Sequence, residues 1–255
     1  SPLLFFSGLG ALTAVLLLVF KDTILSLVAS VQITTSGIVR VGDWVEMPQY
    51  GADGDVIDIA LHTVRIQNWD KTVTTIPTHR FISDAFKNWR YMSSSGGRRI
   101  KRAINIDLGS VRFLGRSEVD GLRAFALLRD YIDQKRAELA ASNEKLEDDG
   151  NVNARRLTNL GTFRAYIVAY LKHHPAINAN MTLLVRQLDP TPTGIPLEVY
   201  AFTRSTDWAE HEGVKSDVFD HLLAIAGDFD LRVFQSPSGS DLTALAAHLP
   251  GNSSA

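Results

Sequence analysis

The sequence predicts a membrane-anchored α+β protein, in which one membrane-spanning helix precedes a water-exposed body of a small β-barrel and an α/β domain. Three observations support this class. Residues Pro2–Phe20 carry no charge, and several short alternating strands lie between Val39 and Arg90. From Ile100 to Gln235 the order is strand, helices, two strands, helix and strand. Strands and helices that are segregated in this way are typical of α+β domains.

The stretch Pro2–Phe20 has the length of a membrane span, because a hydrocarbon core of about 30 Å needs roughly 20 apolar residues in a helix. A buried core helix fits less well, since this run is apolar on every face. A secretory signal would carry a basic start and a shorter apolar core. The chain begins with Ser1 rather than Met. We therefore expect a fragment of a longer protein, with any earlier spans outside this sequence.

Small residues crowd the first half of this span, and they allow membrane helices to approach closely. One helix cannot enclose a pore, so several copies would have to pack around an axis. The bulkier half, Val15–Phe20, could form a dry constriction that gates by dewetting. A dimerising or anchoring helix is the alternative. The small residues are Ser7, Gly8, Gly10, Ala11, Thr13 and Ala14.

Composition excludes several classes of site. The chain has 255 residues, a formal net charge of −2 and no cysteine, so thiolate metal sites and disulfides are ruled out for this sequence. The seven histidines show no metal-ligand spacing, and no G-x-S-x-G elbow is present. We expect no cofactor, no metal and no enzymatic activity.

Residues 23–39 are apolar but interrupted by polar side chains at Ser26, Ser30, Gln32 and Thr34–Ser36. This pattern predicts a second, amphipathic helix that lies along the membrane surface. Lys21 and Asp22 would mark the bend between the two helices.

The next segment, 39–90, predicts a small β-barrel. Val56–Gln67 alternates between apolar and polar residues, Asn68–Lys71 is a turn, and Thr72–Ile76 ends at Pro77, which cannot continue a central strand. The other expected elements are strand Trp44–Met47, a turn over 48–55 and a closing segment Phe81–Trp89.

An α/β domain over 91–236 follows, with a linker at 91–99 and a helical insertion near 137–175. Ser117 and Asp120 suggest the start of a helix. The element order is that of the split βαβ, ferredoxin-like arrangement. Its expected elements are strand Ile100–Leu108, a helical face from Leu122 to Ile132, a loop or frayed helix over 137–154, helix Leu160–Lys172, strands Met181–Leu188 and Leu197–Thr203, helix Trp208–Ala226 and strand Asp230–Gln235. Residues 237–255 are predicted to be a tail.

Three motifs carry a resemblance to a known family. Arg40-Val41-Gly42-Asp43-Trp44-Val45 follows the two apolar helices, Thr74–Phe81 contains Ile76-Pro77, and Phe86–Trp89 ends in Asn88-Trp89. In this order they resemble the barrel entry, the strand end and the barrel exit of the small-conductance mechanosensitive (MscS-like) channels. The match is closest to the miniconductance branch, which has an enlarged cytoplasmic domain.

The resemblance implies a homoheptameric ring in a bacterial inner (cytoplasmic) membrane, with other spans in the full protein. The first helix would line the pore, an Sm-like barrel and the α/β domain would form a cytoplasmic cage, and membrane tension would open the pore to ions and small osmolytes. Membrane lipids and other copies of the chain are the implied partners. Residues 1–38 would form the membrane part. The excess of Lys and Arg after the span also predicts a cytoplasmic body.

The resemblance also implies positions for the gate. In register with Arg40–Trp44, the seal rings fall at Ala14 and Leu18, below Gly10, and the usual kink glycine falls at Asp22. An alanine ring would seal less tightly, so Val15 or Val19 could contribute instead. Lys21 and Asp22 would lie at the pore mouth, where charge tunes selectivity. A salt bridge between subunits is the alternative for this pair.

Two other functions remain open from the sequence. The bulky Val15–Phe20 segment is compatible with a non-conducting scaffold or sensor. Eight basic residues and one acid lie between 86 and 116. This stretch could bind RNA, contact anionic lipid, line side portals that filter ions, or form a solvated strand edge. No aromatic RNA-binding cluster accompanies them, so we expect no nucleic-acid partner.

Overall fold

The computed structural model describes residues 2–144 and 152–239, together with 241 and 243. The chain divides into two compact units, the first ending at Ser95 and the second beginning at Gly96. Each unit is described by itself. The division lies inside the segment 91–99 that the sequence predicts as a linker.

The first unit begins with one long helix, α1 (Pro2–Ser36). The prediction of two helices separated at Lys21–Asp22 is wrong, because the helix runs through both residues without a break. Sharp kinks need Pro, Gly or a disturbed hydrogen-bond ladder, and no Gly or Pro occurs between Ala11 and Ser36. The hydroxyls of Thr34 and Ser36 donate to carbonyls four residues earlier, so these polar side chains remain compatible with the helix.

Helix α1 has two parts with different surroundings. No residue between Phe5 and Leu25 is buried. In the last three turns Ser26, Ala29 and Ile33 are buried, and their spacing of three and four residues places them on one face. The helix is therefore docked only by its C-terminal end.

A five-stranded antiparallel sheet follows, in the order β4-β3-β2-β1-β5. The predicted single run Val56–Gln67 is two strands, because the chain turns at Ala60–His62, where Ala60 N donates to Thr63 O. The predicted closing segment Phe81–Trp89 contains the end of a short helix and a two-residue strand. The elements are β1 (Trp44–Met47), β2 (Ala52–Ile59), β3 (Thr63–Asn68), β4 (Val73–Pro77), α2 (Arg80–Ser83), β5 (Lys87–Asn88) and α3 (Arg90–Ser94).

Alternating apolar residues of these strands form the core of the first unit. Val45, Val64 and Ile66 are fully buried, and Ile33 of α1 belongs to the same cluster. The end of the long helix thus shares one core with the sheet.

The second unit contains a three-stranded antiparallel sheet in the order β6-β8-β7. Its core includes Ile104 of the sheet and side chains from two of the helices, such as Phe163, Ile167 and Phe219. The elements are β6 (Arg98–Ile106), α4 (Arg116–Leu122), α5 (Arg129–Asn143), α6 (Asn159–His173), β7 (Leu184–Gln187), β8 (Ile195–Thr203) and α7 (Trp208–Ile225).

The predicted last strand, Asp230–Gln235, is reduced to one antiparallel bridge between Val233 and Ile106. Asp107 N donates to Arg232 O and Phe234 N donates to Asn105 O, each at 2.8 Å. Strand β6 ends at Ile106 and a 3-10 turn follows, so the ladder has no room to extend.

Other predictions in the second unit need correction. The Ser117–Asp120 cap is wrong, because α4 begins at Arg116 and the Glu118 carboxylate accepts from Gly115 N at 2.6 Å. Helix α5 extends as far as Asn143, into the segment that the sequence predicts as a loop or frayed helix. Residues 145–151 of the predicted acidic insertion, and most of the predicted tail, lie outside the described residues.

Candidate functional site: an exposed helix clamped to the first sheet

The predicted gate residues all lie on the exposed part of α1. Gly10, Ala14, Leu18 and Lys21 recur at intervals of four, four and three residues, so they share one helix face. Leu18 exposes 75% of its surface. The alternative pair falls on the neighbouring face, with Val19 exposed at 67%. An apolar surface of this kind needs a covering partner in water.

Lys21 and Asp22 lie near the end of the exposed stretch Phe5–Leu25, about one turn after Leu18. Both are exposed, and neither takes part in an ion pair within the described part of the chain. Their charges mark the end of the uncharged segment without interrupting the helix.

The end of α1 is shaped by two glycines that adopt positive φ. Gly37 (φ +61°) follows the last helical residue, and its N donates to Ile33 O at 2.8 Å. Gly42 (φ +88°) donates from its N to Val56 O at 2.8 Å. A left-handed residue commonly ends a helix, and glycine adopts it at least cost. The first glycine ends the helix and the second directs the chain into β1.

Asp43, which the sequence analysis singled out, is the centre of this junction. Its side chain is 7% exposed and accepts from Arg40 N at 2.8 Å, Asn88 Nδ2 at 2.9 Å and Arg90 Nε at 2.7 Å. A second guanidinium nitrogen of Arg90 also contacts this carboxylate. Charge-assisted forks of this kind are strong and geometrically specific.

The same side chains hold the end of the helix. Asn88 Nδ2 donates to Ile38 O and Arg90 Nη1 donates to Gly37 O, both at 3.0 Å. Asp43 therefore fixes Asn88 and Arg90, and these two groups bind the carbonyls that follow α1. The network joins the helix end, the barrel-entry motif and the barrel-exit motif.

Electrostatics favour the ionised form of Asp43. Burial alone would raise the pKa of this carboxyl, but hydrogen bonds from Arg90, Asn88 and the Arg40 backbone outweigh it and lower the pKa. The carboxylate is therefore charged at neutral pH and pairs with Arg90.

Three tryptophans from different motifs meet beside the junction. Trp44 stacks on Trp89 with ring centroids 4.6 Å apart, and Trp69 meets Trp44 edge to face at 5.3 Å. Trp44 Nε1 and Trp69 Nε1 both donate to Asp53 Oδ1, at 2.7 and 3.1 Å. Aromatic pairs add to stability beyond the area that they bury, so this cluster ties β1, the β3–β4 turn and β5 together.

The structure brings most of the predicted motif residues together, with one exception. Pro77 ends β4 away from the network, but the chain after it contributes His79, whose Nδ1 lies 3.2 Å from the hydroxyl of Ser26 in α1. Sequence reasoning missed this contact and the pairing role of Arg90. The signal for Arg90 was available, because a buried acid in the entry motif needs a basic partner.

Several of the basic residues between 86 and 116 make contacts within the fold. Lys101 lies 4.0 Å from the buried Glu198, and the guanidinium of Arg102 lies 4.5 Å from the centre of the Phe219 ring. Arg112 pairs with Glu118 and Asp230. These contacts favour a structural role over RNA binding.

One segment of the chain matches a known family model. Residues 22–91 match the family model described as mechanosensitive ion channel, beta-domain. The matched segment covers the end of α1, the sheet and the Asp43 network.

Two comparisons that cover more of the chain agree with this match. Over 225 residues the chain is 23% identical to the low conductance mechanosensitive channel YnaI of Escherichia coli, covering 88% of this chain and 51% of YnaI. The cryo-EM structure of Arabidopsis thaliana MSL1 aligns with a TM-score of 0.61 at 13% identity, covering 91% of this chain and 65% of that one.

The crystal structure of Helicobacter pylori MscS in its closed state aligns with a TM-score of 0.56 at 12% identity, covering 92% of this chain and 71% of the other. At such identities the structural likeness shows the fold alone. The chain spans about half the length of YnaI. Together the matches confirm the resemblance to the MscS-like channels that the sequence motifs carry. The chain's place in the miniconductance branch stays a prediction.

Proposed function

We propose that this chain is the pore-forming part of an ion channel that membrane tension opens, releasing ions and small osmolytes during hypoosmotic shock. The observation that carries the proposal is an apolar helix that is exposed from Phe5 to Leu25 and whose C-terminal end is clamped to a domain that matches the mechanosensitive-channel β-domain. The named relatives are channels rather than enzymes.

The length of the helix supports a membrane location. One helix, Phe5–Ser36, meets the length and composition expected of a span, and at 1.5 Å per residue the uncharged run Pro2–Phe20 is about 28 Å long. That length matches the hydrocarbon core of about 30 Å. We place the two folded units in the cytoplasm and the helix in a bacterial inner membrane, with further spans in the full protein.

Several copies are needed to make a pore from this helix. The small residues near Gly10 and Ala14 suit close helix packing, and Leu18 on the same face would form an apolar ring. A homoheptamer follows from the family resemblance. We assign Ala14 and Leu18 to the seal, with Val15 and Val19 as the alternative, and Lys21 and Asp22 to the cytoplasmic mouth.

The remaining assignments concern the folded units. We propose an Sm-like barrel over 39–90, supported by the five antiparallel strands and their single core. A ferredoxin-like domain over 91–236 is supported by the spatial order Val233, β6, β8, β7. Both would form part of the ring-shaped cage.

Suction-activated patch recording of the full-length protein tests the proposal, with wild type beside Leu18→Ser. A polar ring favours wetting of the constriction, so the variant should open at lower suction than wild type. Leu16→Ser is the matched control, because Leu16 lies on the opposite face of α1 and should leave the threshold nearly unchanged.

Each alternative gives a distinct result. If Leu18→Ser leaves the suction-activated openings unchanged, the chain is still a channel, but the seal lies at Val15 or Val19. No openings from either protein, in patches shown to contain it, would overturn the channel and favour the non-conducting scaffold.

A further inference from the structure

A cavity of about 630 Å³ in the second unit has no role in the proposed channel function. It lies between the start of α4, the last turns of α5 and the segment Ala154–Leu157. Pockets of 300–1,000 Å³ commonly hold small-molecule ligands. The cavity is therefore large enough for a ligand of nucleotide size.

Four arginines line this arginine cavity: Arg116, Arg136, Arg155 and Arg156. Asp120 is the single carboxylate among the described residues that line it. The guanidinium fork matches the geometry of phosphate and carboxylate oxygens, which it binds in pairs. The charge of the cavity thus favours an anionic ligand.

The arginines are held in place before any ligand arrives. Arg155 Nη2 donates to Glu138 Oε1 at 2.9 Å, and the Asn143 amide exchanges two 2.9 Å hydrogen bonds with the backbone of Arg155. The guanidinium of Arg156 lies 4.1 Å from the centre of the Phe113 ring. Pre-organised groups lose less freedom when they bind.

The carboxylates that hold these arginines are weak competitors for them. Arg136 pairs with Asp120, whose side chain is largely exposed, and Glu138 is shared between Arg155 and Lys135. Surface ion pairs of this kind contribute little to stability. A phosphate group with more charge and more acceptor oxygens can therefore bind the outer faces of the guanidinium groups.

The cavity also has an apolar side. Val119 and Leu157 are buried beneath it, and Leu114 and Leu139 line it as well. A simple inorganic anion would leave these side chains without a partner. A ligand with a flat or aliphatic part next to its phosphate would cover them.

We propose that the arginine cavity binds a small molecule that joins a phosphate group to a flat aromatic ring, of which a nucleotide is the chemical class that fits. Arg136, Arg155 and Arg156 bind the phosphate oxygens, and the leucine and valine side chains contact the ring. This site lies within the second unit and gives that unit a ligand of its own.

Calorimetric titration of the purified full-length protein in detergent tests this, with ATP as the probe and adenosine and inorganic phosphate as comparisons. ATP should bind saturably and more tightly than either comparison. Arg136→Gln and Arg155→Gln should each weaken ATP binding about tenfold, since a charge-assisted hydrogen bond is lost. Circular dichroism spectra would show that each variant keeps its fold.

Arg123→Gln is the matched control. Arg123 makes an exposed two-point ion pair with Asp133, at 2.8 and 2.9 Å, but it does not line the cavity. ATP affinity should therefore be unchanged. An absence of saturable ATP binding at millimolar concentration would overturn the proposal. So would inorganic phosphate or adenosine binding as tightly as ATP, or Arg123→Gln weakening ATP binding as much as the cavity variants do.

Discussion

The two parts of helix α1 share one continuous backbone but have different surroundings. From Phe5 to Leu25 every residue is exposed, whereas Ser26, Ala29 and Ile33 are buried against the first sheet. Burial of a few residues fixes the end of the helix, and the apolar residues before them find no cover within the described chain. The folded unit therefore explains the position of only the last turns of α1. In the proposed channel, lipid and neighbouring copies cover the rest.

Removing an isoleucine side chain from each part of α1 should reveal the largest difference in stability between them. Ile33→Ala leaves a cavity in the core of the first unit and should lower its free energy of unfolding by about 3 kcal/mol. Ile24→Ala removes the same atoms from an exposed position and should change it by less than about 0.5 kcal/mol in detergent.

Tryptophan fluorescence during urea unfolding would measure both variants. Three of the four tryptophans, Trp44, Trp69 and Trp89, cluster in the first unit. A Trp208→Phe background, free of any tryptophan outside this sequence, would leave only their signal. An equal loss of stability in both variants would mean that the exposed part of α1 also belongs to the folded unit.

The Asp43 junction should give the next largest effect. Asp43→Asn removes the charge that holds Arg90 and should lower the free energy of unfolding by about 2 kcal/mol at pH 7. The pKa of Asp43 is lowered in the folded state. The contribution of Asp43 to the free energy of unfolding is therefore complete at pH values above the ordinary aspartate pKa near 3.9, and it is lost as the pH falls further. Wild type should therefore lose this stability in acid, whereas Asp43→Asn lacks it at every pH.

Lys87→Gln is the control for that variant. Lys87 pairs with Glu46 at 2.9 Å, but its side chain is 65% exposed, so its loss should cost less than about 1 kcal/mol. A similar loss in both variants, or an acid profile that Asp43→Asn leaves unchanged, would contradict a central role for this carboxylate.

Regular periodicity made the second unit largely predictable. Helices α6 and α7 and strand β8 lie close to their predicted bounds because their apolar residues recur with the period of their own element. The strand expected at Asp230–Gln235 was less predictable, since its length depends on where its partner β6 ends. The local sequence pattern does not show where the partner strand ends.

The Asp43 junction was also only partly predictable from the sequence. The motif residues Gly42, Asp43 and Asn88 were visible in the sequence, but the pairing of Asp43 with Arg90 joins positions 47 residues apart. The continuous helix was missed for a different reason. Lys21 and Asp22 break the apolar pattern, but charged residues do not break a helix as Pro does.

The most direct test of the pore proposal is cysteine modification during suction-activated recording. This sequence contains no cysteine, so Leu18→Cys and Leu16→Cys place one thiol on opposite faces of α1, in a full-length background free of other cysteines. A positively charged methanethiosulfonate reagent applied to open channels should reduce the current through Leu18→Cys and leave Leu16→Cys unchanged. An absence of suction-activated current in wild type, or equal effects of the reagent on the two variants, would contradict a pore lined by the Leu18 face.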